Sequence, residues 1–311
     1  MPNADQVMPK PADLGAFLQA RITQGNISST SLIFTLFCDA LTQHGGEIWL
    51  GSLIDVLDSL GFSDRLVRTA VFRLQQDGWL ESRKIGRRSY YRTTTTGIHH
   101  YARAARRIYA IDRPGWDGTW TLVIPTVIAD EHKDALRKSL FWQGFRLLSS
   151  GVYARPSNDR QSLDETLSEM NISDRVVVLK ARENEPATYS VLQSMVLESW
   201  KLDSLDRLYR EFVQNYRPAL ALVQKDHLLD GRRCFLLRTL LIHEYRRILL
   251  RDPELPARML PDDWAGFAAQ NLTAAIYQRV AKTSARWLSS EMENASGNLP
   301  AASAEFFGRY R

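Results

Sequence analysis

The 311-residue chain is expected to be an α+β protein of several domains, and three observations carry that expectation. Three short helical patterns and a basic glycine turn occupy the first hundred residues. Strand-like and helix-like segments then alternate from 119 to 185, and helical periodicity alone follows from 186 to 293. With 44% hydrophobic and 24% charged residues, a chain of this length can bury two or three cores of ordinary domain size.

The first block, 25–96, opens on Leu32, Ile33, Leu36, Phe37, Ala40 and Leu41, which recur at helical spacing until Gly45-Gly46 stops them. A second helix runs from Trp49 to Leu60 with Leu50, Leu53, Ile54, Leu57 and Leu60 on one stripe. Gly61 then acts as a left-handed cap, and Ser63 as the N-cap of a third helix. From Ser63 the chain reads S-D-R-L-V-R-T-A-V-F-R-L-Q-Q-D-G-W-L and stops at Gly78. At about 100° per residue, Leu66, Val67, Ala70, Val71 and Leu74 gather on one side of it. Arg65, Arg68, Thr69 and Gln76 point to the other side, and Arg73 flanks them. That is the profile of a DNA recognition helix, and with its predecessor it makes a helix-turn-helix. Downstream, W-L-E-S-R-K-I, G-R-R and S-Y-Y-R-T read as two strands about a glycine turn, with Lys84, Arg87, Arg88 and Arg92 near the tip. This is a wing.

The positive charge is local. Ser63 to Arg113 holds twelve cations against four anions, a net +8, whereas the whole chain is only +5. One concentrated basic patch on an otherwise acidic-to-neutral chain is the electrostatic footprint of nucleic-acid binding.

Breakers organise the remainder. Residues 97–118 are expected to be a connecting helix, with Ile98, Tyr101, Ala105 and Ile108 on one face, ended by a turn containing Pro114 and Gly115. Within 119–185 the order is strand (Trp120 to Val127), helix (Glu131 to Gln143), strand (Phe145 to Leu148), strand (Gly151 to Arg155), helix (Gln161 to Met170) and strand (Arg175 to Ala181). That βαββαβ order is a ferredoxin-like unit. In 186–293 one stripe comprises Leu202, Leu205, Leu208, Tyr209, Phe212 and Tyr216. Another comprises Trp264, Phe267, Ala268, Asn271, Leu272, Ala275 and Ile276, and residues 294–311 form a flexible tail.

The segment from about Ser31 to Thr96 resembles the winged helix of GntR-type regulators, whose recognition helix also begins after Ser or Thr and ends in an Asp-Gly-Trp-Leu-like run. Over nearly the whole length the chain resembles the phenylacetic-acid-degradation operon repressor (PaaX) family. The residues that carry this are S-L-I-F-T-L-F at 31 to 37, V-R-T-A-V-F-R-L at 67 to 74 and S-Y-Y at 89 to 91, with R-D-P-E-L-P and L-P-D-D-W between 251 and 264. The resemblance implies a homodimeric, cytoplasmic repressor without a cofactor that binds double-stranded DNA and responds to phenylacetyl-coenzyme A. Two recognition helices about 34 Å apart would then require a palindromic operator. Arg65 and Arg68 are the candidates for base edges, Thr69 and Ser63 for a base or phosphate, and Lys84, Arg87 and Arg88 for the backbone or minor groove. Asp64 departs from the GntR pattern, in which many relatives place a base-reading Arg.

The middle block also resembles the small CRISPR-associated ferredoxin-like nuclease. Those enzymes end their first strand on a metal-holding aspartate; this chain has Ile124-Pro125-Thr126-Val127 there, and Asp130 reads as a helix N-cap. A structural or dimerising module is therefore expected, and no catalytic residues or metal. There is no Gly-Lys dipeptide for a phosphate loop and no G-x-S-x-G elbow. His243-Glu244-Tyr245-Arg246-Arg247 puts Arg where a zinc-protease helix needs its second His. Cys38 and Cys234 read as reduced core residues. No apolar run approaches the roughly 18 residues of a membrane span, and the N-terminus shows no apolar signal segment.

Glu244 falls in the middle of the face formed by Leu237, Leu240, Leu241 and Ile248, so it needs a partner, with Arg247 and Arg251 in reach. Two readings stay open. The cluster of His243, Glu244, Arg247 and Arg251 is a salt-bridged helix face locking domains or protomers, or it is an acidic-effector pocket with Trp264 as an aromatic wall. Three functional alternatives stand beside the repressor: a regulator responding to another acyl-coenzyme A or aromatic acid, a metal-dependent nuclease, and a winged helix used for protein contacts.

Overall fold

Several helices of this protein end within two or three residues of a left-handed position, as at Gly61, Gly78, Gly144 and Asn171. In the computed structural model, which describes residues 11–25, 27–109, 115–157, 160–182, 189–226 and 228–310, helices and strands form an α+β fold with antiparallel sheets and a helical C-terminal region. The chain divides into two compact units. One comprises residues 1–111, 209–250 and 265–311, the other 112–208 and 251–264.

The first unit begins with α1 (Leu14–Gln24) and α2 (Ser29–Asp39), capped by the side chains of Asp13 and Ser28. α1 was not among the expected helices. Leu32, Ile33, Leu36 and Phe37 of α2 are all at most 1% exposed, as their spacing requires. A 3-10 turn over Leu41–His44 follows, then a short strand β1 (Glu47–Trp49), whose last residue was the first of the expected second helix, which is α3 (Leu50–Asp58). α4 (Asp64–Gln76) and the hairpin β2 (Leu80–Ile85) and β3 (Arg88–Thr93) complete the block, in a sheet of order β1-β3-β2. α5 (Thr95–Tyr109) buries Tyr101 and Ile108 but leaves Ile98 47% exposed.

The same unit takes in α10 (Gly231–Leu249) and α11 (Ala265–Glu291), its most extensive helix pair, and α10 also packs on α2. α10 is buried nearly all round, from Cys234 to His243, including Arg238 at 0% exposure. Arg238 Nε donates to Asp39 Oδ2 at 2.9 Å and its Nη1 to Ser284 Oγ at 2.9 Å. Tyr277 Oη and Arg309 Nη1 each donate to Asp39 Oδ1 at 3.0 Å, and Tyr109 donates to the same oxygen. Burial alone would raise the Asp39 carboxyl; Arg238, Arg309 and the two tyrosine hydroxyls overcome this and hold it below the usual carboxylate range.

This network corrects the expectation of a loose tail from Asn294. β8 (Glu293–Asn294) pairs with β9 (Gly297–Asn298), α12 (Ala304–Phe307) follows, and Phe306 and Tyr310 are each 1% exposed. Two aromatic anchors and Arg309 hold a segment whose small polar residues read as unstructured. The α11 stripe also shifts, because Ala268 and Asn271 are exposed while Thr273, Tyr277 and Ser284 face inward.

In the second unit the order is β4 (Thr119–Pro125), α6 (Asp130–Trp142), β5 (Arg146–Ser149), β6 (Val152–Arg155), α7 (Gln161–Glu169) and β7 (Val176–Arg182). The strands pair antiparallel in the order β5-β6-β4-β7. Val123, Leu136, Leu140, Phe145, Leu163 and Leu167 form the core between this sheet and the two helices. α6 is capped at Ala129, so Asp130 is its first residue and not its N-cap. α8 (Tyr189–Ser199) follows, and Trp200 donates from its indole to Gly144 O at 3.2 Å. α9 (Leu202–Lys225) starts in this unit and continues into the other, burying Leu202, Leu205, Tyr209, Phe212 and Tyr216 as their spacing requires.

Candidate nucleic-acid interface

α4 owes its orientation to four residues. Val67, Ala70, Val71 and Leu74 are at most 4% exposed, which fixes one face on the core and turns the opposite one to solvent. Its start is set by two local devices. Gly61 takes φ +75°, the left-handed region that favours glycine, and Ser63 Oγ accepts from Leu66 N. The C-terminal end is tied to the hairpin. Trp79 packs edge-on against Phe34 at 4.3 Å, Thr94 Oγ1 donates to Gly78 O at 2.7 Å, and Gln75 Nε2 donates to Ser82 Oγ at 3.2 Å. Helix and hairpin are thus positioned as one body.

The outward face holds Arg65, Arg68, Thr69, Arg73 and Gln76, all exposed. Arg68 Nε meets Asp64 at 2.6 Å, and both side chains stay more than half exposed. The Thr69 hydroxyl donates to Arg65 O at 2.8 Å. Leu66, expected on the buried side, is 41% exposed, and Phe72, which the helix projection had not singled out, is 60% exposed.

At the hairpin, Ile85 pairs with Arg88, leaving Gly86 and Arg87 as a two-residue turn in which Gly86 takes φ +58°. Glycine at the first turn position suits the primed turns that match strand twist. Lys84 and Arg87 are exposed and have no ion-pair partner among the described residues. The other hairpin arginines are engaged: Arg83 grips Glu47 through two bonds of 2.6 and 2.8 Å, and Arg92 pairs with Glu81. Arg88 donates to Glu293 at 2.7 Å and lies 4.1 Å over the Trp49 ring. Among the described residues Arg65, Arg73, Lys84 and Arg87 are therefore the cations of this face without an ion-pair partner, with Arg68 held in an exposed pair.

The residues of the second cluster have different partners. Glu244 does find partners, but they are Arg21 of α1 and the Tyr216 hydroxyl, 3.0 Å away, and not Arg247 or Arg251. His243 is fully buried with Nδ1 3.4 Å from Thr35 Oγ1; burial first, then Arg247 and Arg246, push its pKa down to about 3, so it is neutral. Arg247 is exposed in the same unit. Arg251 and Trp264 belong to the second unit, Arg251 exposed and Trp264 3% exposed. Both cysteines are buried free thiols, and burial pushes Cys234 up to about 12 and Cys38 further still. That is the opposite of a reactive thiolate. Among the described residues no His, Cys, Asp and Glu cluster fits a metal ion, and no helix is long and apolar enough to cross a membrane.

A helix presenting a row of arginines, braced against a hairpin with a cationic tip, defines the class of protein whose partner is a polyanion with a groove. The chain belongs to the PaaX family. Its residues 28–97 match the family model for PaaX-like protein, 113–192 that for the PaaX protein central Cas2-like domain, and 200–290 that for the PaaX-like protein C-terminal domain. It is 38% identical to the transcriptional repressor PaaX of Escherichia coli (strain K12), over 96% of this chain and 94% of that protein. Among solved structures it is similar to the uncharacterized protein Rv0674 from Mycobacterium tuberculosis, with a TM-score of 0.52 and 23% identity over 80% of this chain and 96% of that one. That likeness is one of fold.

Proposed function

We propose that this protein is a cytoplasmic, homodimeric repressor of phenylacetate catabolism that binds a palindromic operator and leaves it when phenylacetyl-coenzyme A binds. The observation that carries the DNA-binding reading is the solvent-facing row of Arg65, Arg68, Thr69 and Arg73 on a helix whose other face is wholly buried. The likeness to a transcriptional repressor over nearly the full chain supports it.

In this reading residues 25–96 are a winged helix-turn-helix, with α3 and α4 as its helix pair and β2–β3 as the wing. Arg65 and Arg68 reach base edges, Thr69 offers its methyl group, Ser63 places the helix start against a phosphate, and Arg73, Lys84 and Arg87 track the backbone. Asp64, paired with Arg68 in the free protein, gives it up to a guanine edge. Arg88 joins only when Glu293 releases it. Residues 119–185 are in this reading a ferredoxin-like assembly module, supported by the sheet order β5-β6-β4-β7 on a βαββαβ chain. Residues 97–118 connect the two, and 186–293 supply effector sensing. Arg247, exposed in the first unit, is a cation open to the effector's phosphates. His243 and Glu244 act from within the same unit as positioning residues.

Effector binding lowers operator affinity by a coupling of about 1 to 3 kcal/mol, or about five- to 150-fold. The test is operator binding with and without phenylacetyl-coenzyme A, free phenylacetate and a panel of other acyl thioesters. Release by another thioester alone reassigns the effector. Arg68→Ala is expected to abolish sequence-specific binding with dimerisation intact, and unchanged binding refutes the recognition-helix assignment.

A further inference from the structure

Phe72 lies on α4 one turn beyond Arg68 and three residues after Thr69, so at about 100° per residue it falls inside the outward row rather than beside it. Its side chain is 60% exposed, and it makes no ring contact with any described residue. The neighbours that surround it, Arg68, Thr69, Arg73 and Gln76, are polar or cationic and exposed. A single exposed apolar side chain is ordinary on a protein surface, but this one stands inside the cationic row that would meet the partner, so binding there would bury it. That partner has to be anionic overall, to suit the arginines, and to offer one apolar spot at the depth a recognition helix reaches. The thymine C5-methyl group in the DNA major groove is that spot, since the other base edges there present donors and acceptors.

We propose that Phe72 is a specificity-determining residue that reads a thymine methyl group in each operator half-site. The inference rests on the DNA-binding reading above and adds to it a base preference that no arginine on the helix supplies. Arg65 and Arg68 favour guanine through its O6 and N7 acceptors, and Phe72 selects for the methyl of an adjacent A·T pair.

The experiment uses the full chain and the duplex it enriches from a random pool. Each thymine of that duplex is replaced singly by deoxyuridine, which removes the methyl group and leaves every hydrogen-bonding edge in place. One position per half-site is expected to lose about three- to tenfold in affinity, the scale of one buried methyl group in a close-fitting contact. Phe72→Ala is expected to bind the thymine and deoxyuridine duplexes alike, and Phe72→Leu to keep part of the preference. An exposed side chain is a safe site to change, and thermal melting of both variants checks that. Silent deoxyuridine substitutions overturn the proposal, as does a Phe72→Ala variant that retains the wild-type thymine-to-deoxyuridine ratio. A changed sedimentation coefficient with that ratio intact makes Phe72 a protein contact instead. A chain that enriches no duplex and shows no salt-dependent affinity refutes the DNA-binding reading itself, a result separable from failure at Phe72 alone.

Discussion

Asp39→Asn tests whether the first unit depends on one buried charge. The side chains of Asp39 and Arg238 are 1% and 0% exposed, and Arg309 at 8% meets the same carboxylate. Asparagine keeps the shape and removes the charge, leaving the Arg238 guanidinium enclosed by protein without an anion. Breaking a buried pair in this way costs about 3 to 5 kcal/mol. Arg309→Met should cost less, because Asp39 keeps Arg238. The two units need not unfold together, so the measurement is hydrogen exchange of α2, α10 and α11 amides as urea is raised. The sign with pH follows from the depressed Asp39 carboxyl. Its contribution is complete above the ordinary carboxylate value near about 4 and is lost as pH falls through the lower folded value. The gap between wild type and variant should stay constant above about pH 5 and narrow in acid. A gap under about 1 kcal/mol at pH 7 refutes the reasoning.

The other outcomes concern pH and charge. With His243 pushed down to about 3, the unfolded chain binds a proton there below about pH 6.5 that the folded chain does not, so stability falls on acidification by up to about 1.4 kcal/mol per pH unit. Melting temperatures at pH 7.5 and 5.5 should show a steeper loss in wild type than in His243→Gln, and equal slopes count against it. His44, lowered in the same direction by burial, carries the residual slope. Lys84→Ala with Arg87→Ala should make the log affinity versus log salt slope shallower by about 0.9 per cation and weaken all sequences alike; loss at one sequence only contradicts a backbone role. Glu293→Gln, by freeing Arg88, should tighten duplex binding about twofold at low salt, an effect absent from Arg88→Gln.

What the sequence revealed was local. Gly61 and Ser63 punctuate the turn into α4 by conformation and side-chain chemistry that neighbours alone decide, and both act as expected. Val67, Ala70, Val71 and Leu74 bury as their spacing demands. Leu66 did not, because it sits about 90° from the centre of that face, at the edge where only tertiary packing decides. Phe72 was passed over because hydrophobicity suggests a core, whereas its angle places it outside. The partners of Glu244 and Asp39 were illegible for another reason. Arg21 lies 223 residues from Glu244 and Arg238 lies 199 from Asp39, and nothing in local spacing encodes such encounters. The C-terminal segment misled by composition, since two aromatic anchors outweigh a run of small residues rich in Ala, Ser, Gly and Asn.

The first unit is assembled from three stretches of chain separated by the whole of the second. On the ribosome, α2 therefore emerges some two hundred residues before Arg238 can neutralise Asp39, and Arg309 arrives later still. Until then a naked carboxylate marks the place where the remaining helices must dock. The platform under α4 therefore closes only after Arg309 has been made, which disfavours chains still short of it as competitors for the duplex.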